Sequence, residues 1–316
     1  MKYSLFHEDN RNTDLKALKK KIALVLGCNG QDGSFICKSL LDKNYKVIGI
    51  SRSYWNKNHN HQKLGIDKDI ITKRCDICNT KKISKFIESY QPDEIYNFAA
   101  QSSVGKSFNK IEETIHGIVN GTLNLLETSR RIKFEGRIFF AGSSEIFGNT
   151  KTGADINHPH NPLSPYAISK QTSYNLVKLY RENYNLNCVT GVMFNHESYL
   201  REDSFVTKKI INSAKEIVKK GSKKIKLGNI SVIRDWGWAP EYIEAVQLIT
   251  NTKELKDYVI CTGKANSLKK FIEIVFKYYG LDWTEFVEID DKLFRPIEIE
   301  ESYGNPKPLF DDLGWK

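Results

Sequence analysis

Short apolar runs alternate with longer amphipathic stretches along the first half of the chain. The apolar runs predict buried strands at 22–26, 46–50, from 69 onward, at 94–98 and at 137–141. The stretches between them predict helices at 34–43, 83–90 and 112–131. Parallel strands must be joined by a crossover, usually a helix, so this alternation indicates a sheet with helices on both faces. The sequence therefore predicts an α/β fold built on a doubly wound parallel sheet.

The pattern becomes less regular after Phe194, where helices are predicted at 206–219, 242–250 and 268–279. We therefore expect a smaller C-terminal lobe that closes over a substrate. The predicted division of the chain is an N-terminal extension at 1–20, a main domain at 21–194 and the smaller lobe at 195–316.

A glycine-rich turn joins the first predicted strand to the first predicted helix, and it reads Gly27-Cys-Asn-Gly-Gln-Asp-Gly33. Its glycines let the backbone turn tightly, approach a pyrophosphate and pack the helix on the strand. The helix N-terminus then presents partial positive charge to the phosphates. This context predicts a Rossmann dinucleotide site. The predicted cofactor-binding residues of the turn are Gly27, Asn29, Gly30, Gln31, Asp32 and Gly33.

The end of the second predicted strand indicates which dinucleotide is bound. An NAD site usually carries an acidic residue there for the ribose hydroxyls, but none occurs before Asp67. Arg52 and Ser53 suit a 2′-phosphate, which favours NADP over NAD; the alternative is that Arg52 is only a surface charge. Asp76 follows the third strand, where it contacts the adenine edge or, alternatively, caps the next helix.

Two further groups of residues carry candidate chemistry. Tyr166 and Lys170 are four residues apart on a predicted helix, so both lie on one face, and an ammonium group favours the phenolate of a nearby tyrosine. Ser143 and Glu145 follow the fifth strand, at the sheet edge where such folds bind ligands. A carboxylate beside the serine indicates proton transfer at carbon; the alternative for Glu145 is a surface salt bridge.

Composition removes several other classes of function. The chain of 316 residues carries 48 basic and 38 acidic side chains, a net charge of +10, but its lysines are scattered without a platform of aromatic residues. No nucleic-acid partner is therefore expected, although a basic cleft would attract an anionic cofactor and a diphosphate substrate. No apolar run approaches the roughly 20 residues that span a bilayer, so no membrane partner is expected.

The polar, charged start of the chain is unlike a secretory signal, and the six cysteines suit a reducing compartment, so we expect a cytoplasmic protein. Cys75 and Cys78 have the spacing of metal ligands, but neither a second such pair nor paired histidines accompany them. We expect no metal site.

Taken together, the motifs resemble those of the extended short-chain dehydrogenase/reductases, and within them the GDP-mannose 4,6-dehydratase family. The resemblance runs from Lys21 nearly to Lys316. Its matching stretches, besides the glycine turn, are 97–102, 143–145, 164–167, 194–198, 205–207, 227–229, 234–237, 257–260 and 313–315. Among these, Asn195-His-Glu-Ser198 and Arg234-Asp-Trp-Gly237 are the most specific to this family.

The resemblance implies an activity and a set of site residues. The activity is conversion of a GDP-hexose to its 4-keto-6-deoxy form, with Ser143, Glu145, Tyr166 and Lys170 as the catalytic set, and with a homo-oligomer as the assembly. The implied cofactor contacts beyond the glycine turn are Arg52, Ser53, Asp76, Ile77, Ala99, Ala100, Tyr166 and Lys170. The implied substrate contacts are Ser102, Asn195, Val206, Lys209, Leu227, Gly228, Arg234, Arg295 and Glu298.

The chain departs from the family at several positions. Tyr199-Leu-Arg201 replaces a proline with paired arginines, Leu163 replaces an arginine, and Trp238 replaces a histidine. Ser143 stands where threonine is more usual. We expect these changes to lie near the sugar pocket or, alternatively, at a contact between subunits. GDP-mannose therefore leads as substrate, while GDP-N-acetylglucosamine or a GDP-heptose stays open. An epimerase or reductase on the same fold also stays open, as does a catalytically silent cofactor-binding or nucleic-acid-associated protein.

Overall fold

The computed structural model describes residues 20–53, 59–221 and 224–316. The strands are β1 Ile22–Leu26, β2 Lys46–Ser51, β3 Ile71–Arg74, β4 Glu94–Asn97, β5 Arg137–Ser143, β6 Cys188–Met193, β7 Asn195–Glu197, β8 Ile225–Leu227, β9 Ile233–Trp238, β10 Tyr258–Ile260, β11 Ala265–Ser267, β12 Val287–Ile289 and β13 Glu301–Ser302. Of the predicted extension, residues 1–19 lie outside the described residues.

The helices connect these strands and cover the sheets. They are α1 Gln31–Asp42, α2 His59–Lys63, α3 Thr80–Tyr90, α4 Val104–Asn109, α5 Ile111–Ile115, α6 Gly121–Arg131, α7 Pro165–Tyr184, α8 Val206–Lys220, α9 Ala239–Asn251, α10 Leu268–Tyr278, α11 Trp283–Phe286 and α12 Lys307–Leu313. Three helices, α1, α3 and α9, begin one turn before the predicted start, because their first residues are polar or small and lie outside the apolar periodicity.

Seven strands form one parallel sheet in the order β10-β6-β5-β4-β1-β2-β3, which confirms the predicted fold class. Successive side chains of β1 point to opposite faces of this sheet. Ala23 and Val25 pack toward α1 and α9, whereas Leu24 and Leu26 pack toward α3, α6 and α7. Since both faces are covered, the strand is apolar throughout, which explains the continuous apolar runs in the sequence.

The helix predicted at 112–131 is present, but its turn type changes in the middle. A π-helical turn, His116–Asn120, separates α5 from α6. A π turn inserts one residue into the helix, and apolar periodicity on either side conceals it. At the junction the helix approaches the sheet closely: a Cβ on Gly121 would lie 2.5 Å from Cγ2 of Ile77. The neighbouring Gly117 lines a cleft described below.

The C-terminal part of the chain forms a lobe with its own core. Helices α8 and α10 pack with β8 around apolar side chains that include Ile210, Ile225 and Phe276. Strand β9 pairs with β7, β11 and β13 in a separate small sheet. The chain returns to the large sheet at β10, which pairs with β6, and at α9, which packs on α1. The domain boundary at residue 194 stays a prediction, as do the homo-oligomer and the cytoplasmic location. None of the helices in the three described ranges has both the length and the hydrophobicity needed to cross a bilayer.

Candidate active site

Two adjoining clefts open at the carboxyl ends of the parallel strands. The first, called here the glycine-turn cleft, is lined by the turn after β1 together with the ends of β2, β3 and β4. The second, called here the central cleft, encloses about 400 Å³ between the end of β5, the start of α7 and the C-terminal lobe. Phe98 and Ala100 line both clefts, so a ligand bound in one lies next to a ligand bound in the other.

The glycine turn is shaped for close approach of a ligand to the backbone. Gly27 has a φ of +82°, and a Cβ there would lie 2.7 Å from the carbonyl carbon of Phe98. A Cβ on Gly33 would lie 2.2 Å from the carbonyl oxygen of Gly27. Side chains are therefore excluded at both positions, and helix α1 begins directly behind the turn with its N-terminus toward the cleft. This arrangement fits a dinucleotide pyrophosphate.

Most of the predicted cofactor residues line the glycine-turn cleft. They are Gly27, Asn29, Gly30, Arg52, Ser53, Asp76, Ile77, Ala99 and Ala100. Asp32 lines the central cleft instead. Gly33 packs α1 against the turn, and the Gln31 side chain points into the interior, where its Nε2 donates to the carbonyl oxygen of His196 at 3.1 Å.

The end of β2 exposes a basic and hydroxyl-bearing surface. Arg52 and Ser53 are both exposed, and Asn29 Nδ2 donates to Ser53 Oγ at 3.3 Å. Arg74 Nε, from the end of β3, donates to the carbonyl oxygen of Arg52 at 3.0 Å, which fixes the backbone of this segment. Asp76 does not cap α3, because Asn79 accepts from the Lys82 amide at 3.0 Å in that position.

The predicted catalytic residues meet in the central cleft. Ser143 ends β5, and its Oγ accepts from the Glu145 amide at 3.4 Å. Tyr166 and Lys170 lie in the first two turns of α7, which starts where Ser164 Oγ accepts from the Ala167 amide at 3.1 Å. Lys170 Nζ donates to the carbonyl oxygen of Ala141 at 2.7 Å and lies 5.7 Å from the centroid of the Tyr166 ring.

Burial sets the protonation of the tyrosine–lysine pair. It raises the pKa of Tyr166 to about 12, although a hydrogen bond with Ser143 acts in the opposite direction. Burial lowers the pKa of Lys170 to about 8, with the Asp32 carboxylate opposing that change. At neutral pH the lysine is therefore mainly cationic and lies beside a protonated phenol. The protonated phenol can donate a hydrogen bond to a ligand oxygen. Once it has released its own proton, the phenolate can accept a proton from a ligand.

Glu145 faces two guanidinium groups across the central cleft. Burial raises the pKa of Glu145, while the positive charges of Arg295 and Arg234 act to lower it. A carboxyl group whose pKa is raised toward neutrality can act as both a base and an acid at physiological pH. The structure thus places a proton acceptor in the same cleft as Ser143, Tyr166 and Lys170.

The far end of the central cleft holds two guanidinium groups that share one carboxylate. Arg234, on β9, is buried, and its Nη2 lies 3.1 Å from Oε1 of Glu298. Arg295 Nη1 lies 3.3 Å from the same oxygen. Paired guanidinium groups suit a diphosphate because their donors form a planar fork. All the predicted substrate residues line this cleft: Ser102, Asn195, Val206, Lys209, Leu227, Gly228, Arg234, Arg295 and Glu298.

Four of the family departures do not lie where they were expected, whereas Ser143 and Arg201 do line the central cleft. None of Leu163, Tyr199, Leu200 and Trp238 belongs to the described residues that line the central cleft. The Tyr199 ring packs edge-on against Phe35 of α1 at 5.7 Å and lies 6.3 Å from the Trp238 ring. Leu200 is buried in the core beside α1. The loop after β7 turns toward α1, and Tyr199 and Leu200 fill the space between the loop and that helix. The expected effect of the four departures on the sugar pocket therefore has no support in the structure.

Two further residues line the central cleft: Arg201, which the sequence indicated only as part of a family departure, and Phe205, to which it gave no role in the site. Arg201 stacks on the Phe205 ring, with its Cζ 3.8 Å from the ring centroid, and its Nε lies 3.0 Å from Glu197 Oε2. Both belong to the loop between β7 and α8. A loop has no periodicity that indicates its direction, so only the tertiary structure shows that these side chains face the cleft.

Six cysteines are present as free thiols, including Cys75 and Cys78 at the end of β3. Within the described ranges, no three histidine, cysteine, aspartate or glutamate side chains come together as a group that would hold a metal ion.

Comparison with known proteins agrees with this geometry. A family model described as GDP-mannose 4,6 dehydratase matches residues 24–316. GDP-mannose 4,6 dehydratase 1 of Arabidopsis thaliana is 37% identical over 310 residues, covering 94% of this chain and 85% of that protein. The GDP-mannose 4,6-dehydratase of Vibrio cholerae is 33% identical over 332 residues, covering 94% and 89%.

Solved structures share the fold at lower identity. A dTDP-glucose 4,6-dehydratase from Bacillus anthracis in complex with NAD superposes with a TM-score of 0.82 at 19% identity, covering 94% of this chain and 91% of that one. A UDP-glucose 4-epimerase from Thermus thermophilus in complex with NAD gives 0.81 at 23% identity, covering 93% of each. From the family match over nearly its whole length, the chain belongs to the GDP-mannose 4,6-dehydratase family.

Proposed function

We propose that the protein is an NADP-dependent 4,6-dehydratase that converts GDP-mannose to the GDP-4-keto-6-deoxy sugar. The observation that carries the proposal is the position of Glu145, whose carboxyl group shares the central cleft with Ser143, Tyr166 and Lys170. An epimerase on this fold needs only hydride chemistry at C4, whereas removal of water also needs a base for the C5 proton. The names of the family and of its relatives in plants, animals and bacteria support GDP-mannose as the substrate.

The two clefts divide the binding work. The glycine turn would hold the pyrophosphate of the dinucleotide, with Asp76 at the adenine end. Arg234 and Arg295 would hold the diphosphate of the GDP-sugar at the far end of the central cleft, and Lys209 adds positive charge there. The shared wall at Phe98 and Ala100 would bring the sugar against the nicotinamide end of the cofactor.

The chemistry assigns one proton task to each side chain. A nicotinamide cofactor held beside the sugar would supply hydride transfer, from sugar C4 to the cofactor and later back to C6. Tyr166 takes the proton from O4 as the phenolate, which forms when its own proton leaves to solvent and which the positive charge of Lys170 favours. The resulting C4 ketone acidifies the C5 proton, which Glu145 removes. Glu145, now protonated, and Ser143 assist the departure of the C6 hydroxyl as water. After hydride has returned to C6, a proton from solvent adds at C5, and the proton that Tyr166 took from O4 is released to solvent.

The choice of NADP rests on the exposed surface at the end of β2. Arg52→Ala is expected to weaken NADP binding by about ten- to a hundredfold, because a hydrogen bond to a charged group contributes about 1.5–3 kcal/mol. NAD lacks the 2′-phosphate, so its affinity should change little. Titration of both dinucleotides into the wild-type protein and the variant measures the difference, with Lys81→Ala on α3 as a surface control. Equal weakening of both cofactors would show that Arg52 does not contact the phosphate.

A GDP-sugar panel tests the reaction itself. Incubation with NADP and GDP-mannose is expected to give a product lighter by one water, measured by mass spectrometry, with no net change in the NADPH absorbance. Leu163, Tyr199, Leu200 and Trp238, four residues at which the chain departs from the family, do not line the central cleft. They should therefore not alter the sugar pocket, and GDP-mannose should react faster than GDP-N-acetylglucosamine or GDP-manno-heptose. An unchanged mass with inversion at C4 would indicate an epimerase, and net oxidation of NADPH would indicate a reductase.

A further inference from the structure

A buried ion pair joins the glycine turn to the strand that carries Asn195. His196, on β7, lies with its Nε2 3.0 Å from Oδ1 of Asp32, in the first turn of α1. Its Nδ1 lies 2.7 Å from the carbonyl oxygen of Phe194. The imidazole is almost fully buried, and the proposed catalytic steps give it no task.

The geometry determines the protonation state of this imidazole. A neutral imidazole has one N–H donor and one acceptor nitrogen. Here both nitrogens face oxygen acceptors, a carbonyl on one side and a carboxylate on the other. Only the doubly protonated ring donates to both, so His196 is an imidazolium paired with the Asp32 carboxylate. The pKa values agree in direction: that of His196 is raised by Asp32 against the effect of burial, and that of Asp32 is lowered to about 2.

Further hydrogen bonds reinforce the same connection. Gln31 Nε2 donates to Asp32 Oδ1 at 3.1 Å and to the carbonyl oxygen of His196 at 3.1 Å. Ser198 Oγ donates to Gln31 Oε1 at 2.8 Å. The ring of Tyr242, from α9, stacks on the imidazole at 4.8 Å and closes its remaining face. The start of α1 is therefore fastened to β7 and to the residues that follow it.

We propose that His196 is a positioning residue whose imidazolium, paired with Asp32, fixes the start of α1 against β7. The glycine turn directly precedes α1, and Asn195 directly precedes His196. The His196–Asp32 pair therefore sets the distance between the cofactor site and the substrate site. The assignment of those two sites rests on the proposed function. A displacement of about 1 Å between reacting groups can cost about 10²-fold in rate, which gives such a fastening a kinetic consequence.

The charged neighbours define when the pair is intact. Asp32 stabilises the imidazolium, Arg201 from the loop after β7 opposes it, and Tyr242 faces it from α9. Lys170 and Tyr166 interact with Asp32 from α7.

Because the His196 pKa is raised, the pair is complete at pH values below about 6.5 and is lost as pH rises through the raised value. Because the Asp32 pKa is lowered, acid breaks the pair only as pH falls toward about 2.

The first test observes the proton directly. In the ¹⁵N-histidine-labelled protein with its dinucleotide bound, both ring nitrogens of His196 are expected at imidazolium chemical shifts at pH 6, and they should change to neutral-ring shifts with a midpoint above the ordinary imidazole pKa of about 6.5. The signal is assigned by its loss in His196→Gln. If His196→Gln does not fold, Asp32→Asn provides the assignment, since it should lower the midpoint of the same signal. A midpoint at or below about 6.5 in the wild-type protein would overturn the proposal.

The second test separates positioning from general stability. His196→Gln is expected to weaken dinucleotide binding and to lower kcat/KM for GDP-mannose, each by about tenfold. In the wild-type protein the dinucleotide affinity should fall as the pH rises above neutrality and His196 loses its proton. In the variant this pH dependence should be absent. The matched control is Asp257→Asn, which breaks a buried pair with Arg181 (Nη2 to Oδ2 2.7 Å) between α7 and β10. It should lower the melting temperature while leaving affinity and kcat/KM unchanged.

These outcomes also distinguish the inference from the proposed function. If GDP-mannose is not dehydrated, the protonation of His196 and the loss of dinucleotide affinity are still expected. If His196→Gln affects only the melting temperature, as Asp257→Asn does, the pair is structural and the positioning role is wrong.

Discussion

Glu145→Gln is expected to bind NADP and GDP-mannose as the wild-type protein does and to lose dehydration by about 10²–10⁴-fold in kcat, the usual contribution of one acid–base group. The amide keeps the size and shape of the side chain but cannot accept the C5 proton. Its charge is also lost, yet Arg234 and Arg295 keep Glu298 as a partner, so the diphosphate end of the cleft should remain formed.

Solvent isotope incorporation makes this test specific. In deuterium oxide the wild-type protein should place deuterium at C5 of the product, because Glu145 removes the original C5 proton and the hydrogen added later at C5 comes from solvent. The variant should show almost no C5 exchange. Glu135→Gln, at the exposed loop before β5, is the isosteric control and should behave as wild type. A Glu145→Gln variant that retains more than about a tenth of the wild-type rate would show that another group removes the proton.

Tyr166→Phe is expected to lower kcat by about 10²–10⁴-fold while KM for GDP-mannose stays nearly the same. The phenyl ring preserves the packing of a buried side chain at the start of α7. It removes the hydroxyl group that would take the O4 proton, so the C4 ketone should not form. Without that ketone the C5 proton is not acidic, and C5 deuterium exchange should also disappear.

The control for this substitution lies two turns further along the same helix. Tyr174 is as buried as Tyr166 and packs against His160. It is not among the residues that line the central cleft in the described part of the chain. Tyr174→Phe should therefore keep the wild-type kcat. Equal losses in Tyr166→Phe and Tyr174→Phe would indicate damage to α7 rather than loss of a proton acceptor, and near-wild-type activity of Tyr166→Phe would remove it from the mechanism.

The features that the sequence determined are local ones. Buried parallel strands are apolar on both faces, so β1, β2, β4 and β5 were visible as apolar runs, whereas the edge strand β3 is polar and only its start was indicated. The glycine turn was predictable because its glycines stand directly between a strand and a helix, and Gly27 has a φ of +82°, which favours glycine. The four-residue spacing of Tyr166 and Lys170 places both on one helix face without reference to the rest of the chain.

The resemblance to the family added residues that no local pattern reaches. Arg234 and Arg295 are far apart in the sequence, yet both bind Glu298 in one cleft with Glu145. Nothing in the periodicity around these residues indicates that they meet. Their convergence depends on how β9 and the segment before β13 pack beside the end of β5, which is a property of the assembled fold.

Only the tertiary structure decided three further features. It placed a π turn between α5 and α6, it turned Tyr199 toward Phe35 on α1 instead of the sugar pocket, and it paired His196 with Asp32. Each depends on contacts between segments distant in sequence, where the direction of a loop or the phase of a helix is set by packing. Period and spacing encode what a residue does within its own element, whereas burial and charge pairing between elements are fixed only when the chain has folded.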